Sequence, residues 1–187
     1  MKTSFYSVEE LAGFGFKNIG KNVLISRKAS IYSPQSISIQ NNVRIDDFCI
    51  LSGEITLGSY IHISAYTALY GKYGIECQDF TTISGRTLIY SQSDDYSGEF
   101  LTNPMVPENL THVTGGKVII KKHAIIAAGC IIFPGITIGE GAAVGAMSLV
   151  NKNLEEWFIY AGIPAKPIKP RLQKIIDLEK NRWTNQI

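Results

Sequence analysis

The sequence predicts an all-β protein whose short strands wind into a three-sided parallel β-helix. A Leu, Ile, Val or Cys returns at every sixth residue through most of the chain, as at Ile39, Ile45 and Leu51. Neither an α-helix, with a period of about 3.6 residues, nor a single strand, with a period of about 2, produces this spacing. Three six-residue faces make one turn of 18 residues. The apolar residues would then point inward and stack about 4.8 Å apart between turns.

The repeats form two blocks, residues 19–89 and 118–150. Four residues after many of the apolar positions stands a small or β-branched residue, such as Val43, Cys49, Thr67 or Ala124. Small residues suit the tight bends that a three-sided coil needs at its corners. The spacing therefore predicts both the inward columns and the places where the chain turns.

Three regions interrupt the repeat. Residues 1–18 are predicted to cap the N-terminal end, and Ser7 with Glu10 forms a capping-box pattern for a short helix. Residues 90–117 lack the repeat and contain three glycines and two prolines. A loop of this length inside a compact domain is normally functional or disordered, and we predict an active-site loop here. Residues 170–183 carry apolar residues at helical spacing and are predicted as a C-terminal α-helix that covers the end of the coil.

Length and composition indicate one domain, residues 1–187. The net charge of +2, from 18 basic and 16 acidic residues, is too small to indicate nucleic-acid binding. No apolar run approaches the about 20 residues of a membrane helix, and the N-terminus lacks the apolar core of a secretory signal. Three cysteines form no C-x-x-C pair. We expect a cytoplasmic protein with neither a membrane nor a nucleic-acid partner.

The second block and the tail, VIIKKHAIIAAGCIIFPGITIGEGAAVGAMSLVNKNL and YAGIPAKPIKP, resemble the hexapeptide-repeat acyltransferases. The resemblance covers most of the chain. It implies a left-handed coil, a homotrimer and an acyl-CoA co-substrate, either acetyl-CoA or a longer acyl-CoA. Carried over position by position, it implies that coenzyme A contacts Ala128, Ala146, Asn151, Lys152 and Lys166. The family often has Thr where Asn151 stands.

The N-terminal runs EELAGFGFKNIGKNVLIS and NNVRIDDFCILSG resemble the N-acyltransferases of nucleotide-linked amino-deoxysugars, in particular those acting on dTDP-4-amino-4,6-dideoxyglucose. Such enzymes supply acylated sugars for bacterial surface glycans, including O-antigen. The resemblance therefore implies a nucleotide-linked amino sugar as the acyl acceptor.

The 90–117 loop carries the candidate catalytic groups. Many O-acetyltransferases of the family have a histidine after the middle turns, where this chain has Asp94 and Asp95. A hydroxyl needs a strong base while it attacks, and a carboxylate, with an ordinary pKa of about 3.9, is a weak one. An amine needs only orientation and a late proton acceptor. Aspartate in place of histidine therefore favours N-acylation, with Asp94 as the proton acceptor and Ser84, near a corner of the preceding turn, as a hydrogen-bond partner for the amine. Asp95 and His112 are further candidates for contacting the substrate.

Two alternatives remain open from the sequence. His112, in the same loop, would be the base of a sugar O-acetyltransferase. A non-catalytic trimeric scaffold would leave the Asn151-Lys152 pair and the AGIPAKPI tail unexplained. His123 is expected to face outward at the surface. The three histidines lack the spacing of metal ligands, so no metal site is predicted, which also disfavours a zinc-dependent carbonic-anhydrase-like enzyme.

Overall fold

The computed structural model describes residues 4–184, so residues 1–3 of the predicted N-terminal cap lie outside it. Within that range the chain forms many short strands and two α-helices. In chain order these are α1 Val8–Ala12, β1 Asn18–Ile19, β2 Val23–Ile25, β3 Ser30–Tyr32, β4 Ile37–Ile39, β5 Val43–Ile45, β6 Ile50–Leu57, β7 Ile61–Ile63, β8 Ala68–Cys77, β9 Thr82–Ile83, β10 Leu88–Tyr90, β11 Gln92–Ser93, β12 Thr114–Gly115, β13 Val118–Ile120, β14 Ile125–Ile126, β15 Ile131–Ile132, β16 Thr137–Ile138, β17 Ala143–Val144, β18 Leu149–Val150, β19 Phe158–Ala161, β20 Lys166–Pro170 and α2 Lys174–Thr184.

The strands stack in parallel on three faces. The first face has the order β2-β5-β7-β9-β14-β17-β19. The second runs through β3, β6, β8, β10, β15 and β18, and the third through β1, β4, β6, β8, β13 and β16. Strands β6 and β8 belong to two faces because each continues around a corner. This is the left-handed parallel β-helix that the sequence and its resemblance predict.

The residues at six-residue spacing form the core. From Ile25 to Val150 nearly all are 0–2% exposed, among them Ile45, Leu69 and Ile132. In the first coil Ile19 and Ile31 are only partly buried, since no further coil covers them. Helix α1 caps this end, and both bonds of the predicted capping box form between Ser7 and Glu10. The periodicity therefore identified the core correctly.

The coil extends further than predicted. Strand β19 continues the first face beyond residue 150, with Tyr160 in register with Val144 and only 5% exposed. The pattern of Leu, Ile, Val and Cys at six-residue spacing did not predict this turn because an aromatic residue occupies the inward position. The C-terminal helix also begins later than predicted, at Lys174, because Pro170 still belongs to β20, which pairs antiparallel with β19. Strand β20 and α2 cover the end of the coil.

Candidate active site

One corner of the prism carries three of the predicted site residues. We call it the Ser84 corner, residues 46–49, 64–67, 84–87, 127–130 and 145–148, between the first and second faces. Backbone hydrogen bonds link successive coils there, including Arg86 N to Ala65 O at 3.1 Å and Gly129 N to Gly85 O at 3.0 Å. The structure thus places Ser84, Ala128 and Ala146 in adjacent coils, in that order toward the C-terminal end.

The C-terminal part of this corner carries mostly small side chains, with Met147 as the large exception. A Cβ atom on Gly145 would lie 2.9 Å from the Cβ of Ala161, and one on Gly129 would lie 2.5 Å from Met147 Sδ. Glycine at position 145 lets the next coil approach closely, and glycine at position 129 makes room for the Met147 side chain. Lys166 lies beyond them, exposed, opposite Ala161 in the β19–β20 pair. Ala128 and Ala146, the predicted contacts of the pantetheine arm, are both exposed.

A second corner carries the remaining predicted residues. We call it the loop corner, residues 53–54, 71–74, 91–117, 133–136 and 151–153, between the second and third faces. The long loop leaves the coil here, and its base is closed by the antiparallel pairing of Gln92 with Gly115. Gly115 packs against the Tyr73 ring and Ser91 O so closely that no side chain fits. Asn151 and Lys152 are exposed at the C-terminal end of the same corner.

Asp94 lies between two grooves at the loop corner. One, of about 720 Å³, is bounded by Tyr90, Ile131 and Phe133 toward the C-terminal coils. The other, of about 600 Å³, contains Lys72 and His112. Asp94 lines both grooves, and an acid–base group acting between two substrates requires such a position.

The neighbouring carboxylates differ in their bonding. Asp95 holds a turn: Ser97 Oγ donates to its Oδ2 at 2.8 Å and Gly98 N donates at 3.1 Å. The hydrogen bond from Ser97, ahead of the backbone N–H bonds, lowers the pKa of Asp95 below its usual value. The Asp94 carboxylate accepts no hydrogen bond from any residue between 4 and 184, and its side chain is exposed. The geometry therefore favours Asp94 as the group free to meet a substrate.

His112 is held against an aromatic ring. Its imidazole stacks on Phe100 with ring centroids 5.0 Å apart, in the groove that Asp94 also lines. The structure thus brings His112 and Asp94 to one groove, as the O-acetyltransferase alternative requires, while Asp94 also borders the second groove.

Ser84 and Asp94 do not meet within one chain. They flank β10 at its two ends, Ser84 at one corner and Asp94 at the next. Ser84 is held in place by backbone bonds, its N–H to Ile126 O at 2.8 Å and its C=O to Thr67 Oγ1 at 3.3 Å. The predicted coenzyme residues divide in the same way, with Asn151 and Lys152 at the loop corner and the others at or beside the Ser84 corner.

His123 is buried, contrary to the expectation that it faces outward. It is 7% exposed at the third corner, where its ring stacks on Phe80 at 5.2 Å and its Nε2 lies 2.8 Å from Glu179 Oε2 on α2. Burial alone would raise the pKa of Glu179, but hydrogen bonds from Lys122 and His123 outweigh it and lower the pKa. This cluster anchors α2 to the coil, a role that six-residue spacing does not reveal.

The remaining reactive side chains serve the core. Burial raises the pKa of Cys49 to about 11 and that of Cys77 to about 12, so both thiols stay protonated. In the described part of the chain, no three His, Cys, Asp or Glu side chains are grouped to hold a metal ion. None of the helices described is long and apolar enough to cross a membrane.

Two residues that sequence reasoning missed border these sites. Gln92 lines both grooves with Asp94, and its Oε1 is buried with no hydrogen-bond partner among residues 4–184. The spacing of two residues, which puts side chains on one side of a strand, could have associated it with Asp94. Arg86 is exposed at the Ser84 corner, two residues after Ser84. Nothing in the repeat distinguishes it from any other corner residue.

No protein-family model matches the chain. It is 46% identical over 173 residues to the dTDP-4-amino-4,6-dideoxy-D-glucose acyltransferase of Escherichia coli, covering 91% of this chain and 90% of that protein. AntD, an N-acyltransferase from Bacillus cereus solved with dTDP and 3-hydroxybutyryl-CoA, is 58% identical with a TM-score of 0.95, over 98% of each chain. Its S84A variant, solved with dTDP-4-amino-4,6-dideoxyglucose and coenzyme A, gives a TM-score of 0.96 at 57% identity, over 99% of this chain and 100% of that one. The protein therefore belongs to the hexapeptide-repeat acyltransferases, within the family of acyl-CoA-dependent N-acyltransferases that contains these two enzymes.

Proposed function

We propose that the protein transfers an acyl group from acyl-CoA to the amine of dTDP-4-amino-4,6-dideoxyglucose. The observation that carries the proposal is the position of Asp94, an unpaired carboxylate between two grooves. One groove faces the C-terminal coils and suits the acyl thioester, and the other suits the acceptor sugar. The acceptors of the E. coli and B. cereus relatives support the choice of sugar.

We propose that the working enzyme is a homotrimer with each active site shared by two subunits. All the predicted site residues lie at or beside two of the three corners, and neither corner holds a complete set. Packing the Ser84 corner of one subunit against the loop corner of the next would unite Ser84 with Asp94 and Ala128 with Asn151 and Lys152. Cyclic symmetry would then make three equivalent sites.

Ser84 and Asp94 would act on the amine rather than on the thioester. The Ser84 hydroxyl would accept a hydrogen bond from the amine and orient its lone pair, which makes attack effectively unimolecular. Asp94 would receive the proton that the nitrogen sheds after attack. Two observations support these roles: neither side chain is engaged elsewhere in the described chain, and AntD has been solved as S84A and D94N variants with coenzyme A.

The product would enter bacterial surface-glycan synthesis, such as that of O-antigen, and the reaction would take place in the cytoplasm, where acyl-CoA is available. The three free, buried cysteines fit a reducing compartment. The acyl group would be acetyl or a longer group such as 3-hydroxybutyryl. The apolar rim of the larger groove at Ile131 and Phe133 offers room for either.

A thiol-release assay tests the proposal. Purified protein is incubated with acetyl-CoA or 3-hydroxybutyryl-CoA and either dTDP-4-amino-4,6-dideoxyglucose or its 4-hydroxy counterpart. We expect rapid release of coenzyme A with the amino sugar and little with the hydroxy sugar. Preference for the hydroxy sugar would favour O-acylation with His112 as base. No turnover with either sugar would refute the proposed function.

A further inference from the structure

The Ser84 corner changes character along its length. The position of Arg86 is occupied by Gly129 and Met147 in the coils on its C-terminal side, and by Tyr66 and Phe48 in the coils on its N-terminal side. Their rings stack with centroids 5.0 Å apart and remain 55% and 46% exposed. Both residues have positive φ, 63° and 59°. Bulky residues with positive φ recur at the corners of this coil, as at Tyr60 and Phe80, so what distinguishes the Tyr66–Phe48 pair is its position in the coils next to Arg86.

Arg86 continues this row at the level of Ser84. Its backbone N–H bonds Ala65 O, but its exposed guanidinium makes no ion pair or hydrogen bond with the residues that the structure describes. At the other end of the row, Lys28 Nζ is paired with Asp47 at 3.0 Å and lies 5.3 Å from the centre of the Phe48 ring. Arg86 is therefore the cation of this row that is available to an anion.

We propose that this row, Arg86-Tyr66-Phe48, binds the nucleoside diphosphate of the acceptor. Arg86 holds the diphosphate, and the aromatic pair packs against the nucleoside. A guanidinium matches two phosphate oxygens at once through its planar fork of N–H donors. Aromatic side chains offer a nucleoside base a large apolar contact surface. The inference rests on the proposed function, because it takes Ser84 as the position of the amine.

Chemical connectivity selects the sugar's diphosphate over that of coenzyme A. In a 4-amino hexose nucleotide, one pyranose ring separates the amine from the carbon that bears the diphosphate. With the amine at Ser84, the diphosphate lies within a coil or so, and successive coils are about 4.8 Å apart. The coenzyme's diphosphate is separated from its thioester by the whole pantetheine arm. That arm runs over the small residues Ala128 and Ala146, away from Arg86.

Calorimetry with dTDP and with coenzyme A tests the role of Arg86. Loss of a charge-assisted bidentate contact should weaken dTDP binding about 10- to 100-fold in Arg86→Met. Arg86→Lys should recover part of the loss, and coenzyme A affinity should stay within about twofold in both. Lys21→Met is the matched control, since Lys21 is an exposed cation at another corner. Equal dTDP affinity in Arg86→Met and wild type would overturn the proposal.

A second pair of variants tests the aromatic half. Tyr66→Leu should weaken dTDP binding, whereas Tyr60→Leu should not. Tyr60 is a close match: it stacks on Phe80 at 4.9 Å, has φ 61° and is 39% exposed, but lies at the third corner. Unchanged dTDP affinity in Tyr66→Leu, or loss of the assembled oligomer in that variant, would assign the pair to subunit packing and overturn this part.

The wild-type assay separates failure of this inference from failure of the proposed function. If the wild type acylates the amino sugar and Arg86→Met has an unchanged KM for that sugar, the nucleotide-binding role of the row is refuted and the proposed function stands. A wild type that binds dTDP in an Arg86-dependent manner but acylates no amino sugar refutes the proposed acceptor and leaves the nucleotide site intact.

Discussion

Replacing Asp94 by Asn tests the proposed chemistry at a single atom. The change preserves the shape of the side chain and removes its ability to take a proton. Because the Asp94 carboxylate accepts no hydrogen bond within residues 4–184, no fold-stabilising contact is lost and the melting temperature should hardly change. Turnover of the amino sugar should fall about 10²- to 10⁴-fold, the usual effect of losing a general base. Coenzyme A affinity should be unchanged.

The adjacent carboxylate supplies the control. Asp95→Asn weakens the acceptor for Ser97 Oγ and Gly98 N, so it should loosen the loop and lower the melting temperature with a smaller effect on turnover. Steady-state rates are measured for both variants and for His112→Ala on one amino sugar. If Asp94→Asn is fully active, the catalytic role of Asp94 is refuted. If only His112→Ala loses activity, the base is the histidine.

Three further outcomes are expected. Ala146→Trp should obstruct the pantetheine path and reduce coenzyme A affinity far more than Lys166→Ala, which removes an exposed charge contact of about 1 kcal/mol or less; calorimetry compares the two. The pKa of Glu179 lies below its usual 4.5, so its ionised carboxylate stabilises the fold above pH 4.5, and this stabilisation is lost as the pH falls through the lowered pKa. Glu179→Gln should therefore have a lower melting temperature than wild type at pH 7, and the two melting temperatures should converge at acid pH. Light scattering should give a mass three times the 20.6 kDa of the chain, and a monomer at micromolar concentration would contradict the shared site.

The fold was largely predictable because each face of the coil requires an inward apolar residue at a fixed spacing of six residues. Inward positions such as Ile45 and Ile132 must be apolar, and the period therefore located the core. The six-residue period did not predict the last turn, because Tyr160 occupies its inward position. The start of α2 was predicted too early, because Pro170 still belongs to a strand that pairs with β19.

The candidate site was only partly predictable. The resemblance supplied the coenzyme residues, and the absence of histidine from the start of the loop pointed to Asp94. Ser84 was predicted from its place near a corner of the preceding turn. The period constrains inward positions and says nothing of exposed corners, so it gave no signal for Arg86. Gln92 could be associated with Asp94 only through their two-residue spacing. His123 was misplaced because its partner Glu179 lies 56 residues away in sequence, on a helix outside the repeat.

Subunit complementation tests most directly the central claim that acyl transfer occurs between the Ser84 corner of one subunit and the loop corner of the next. Ser84→Ala and Asp94→Asn, each nearly inactive alone, are co-expressed in equal amounts and purified as mixed trimers. A shared site regains both native groups when a Ser84-bearing subunit precedes an Asp94-bearing one, so random assembly restores about a quarter of wild-type turnover. Activity no greater than that of the two single-variant trimers would contradict the claim.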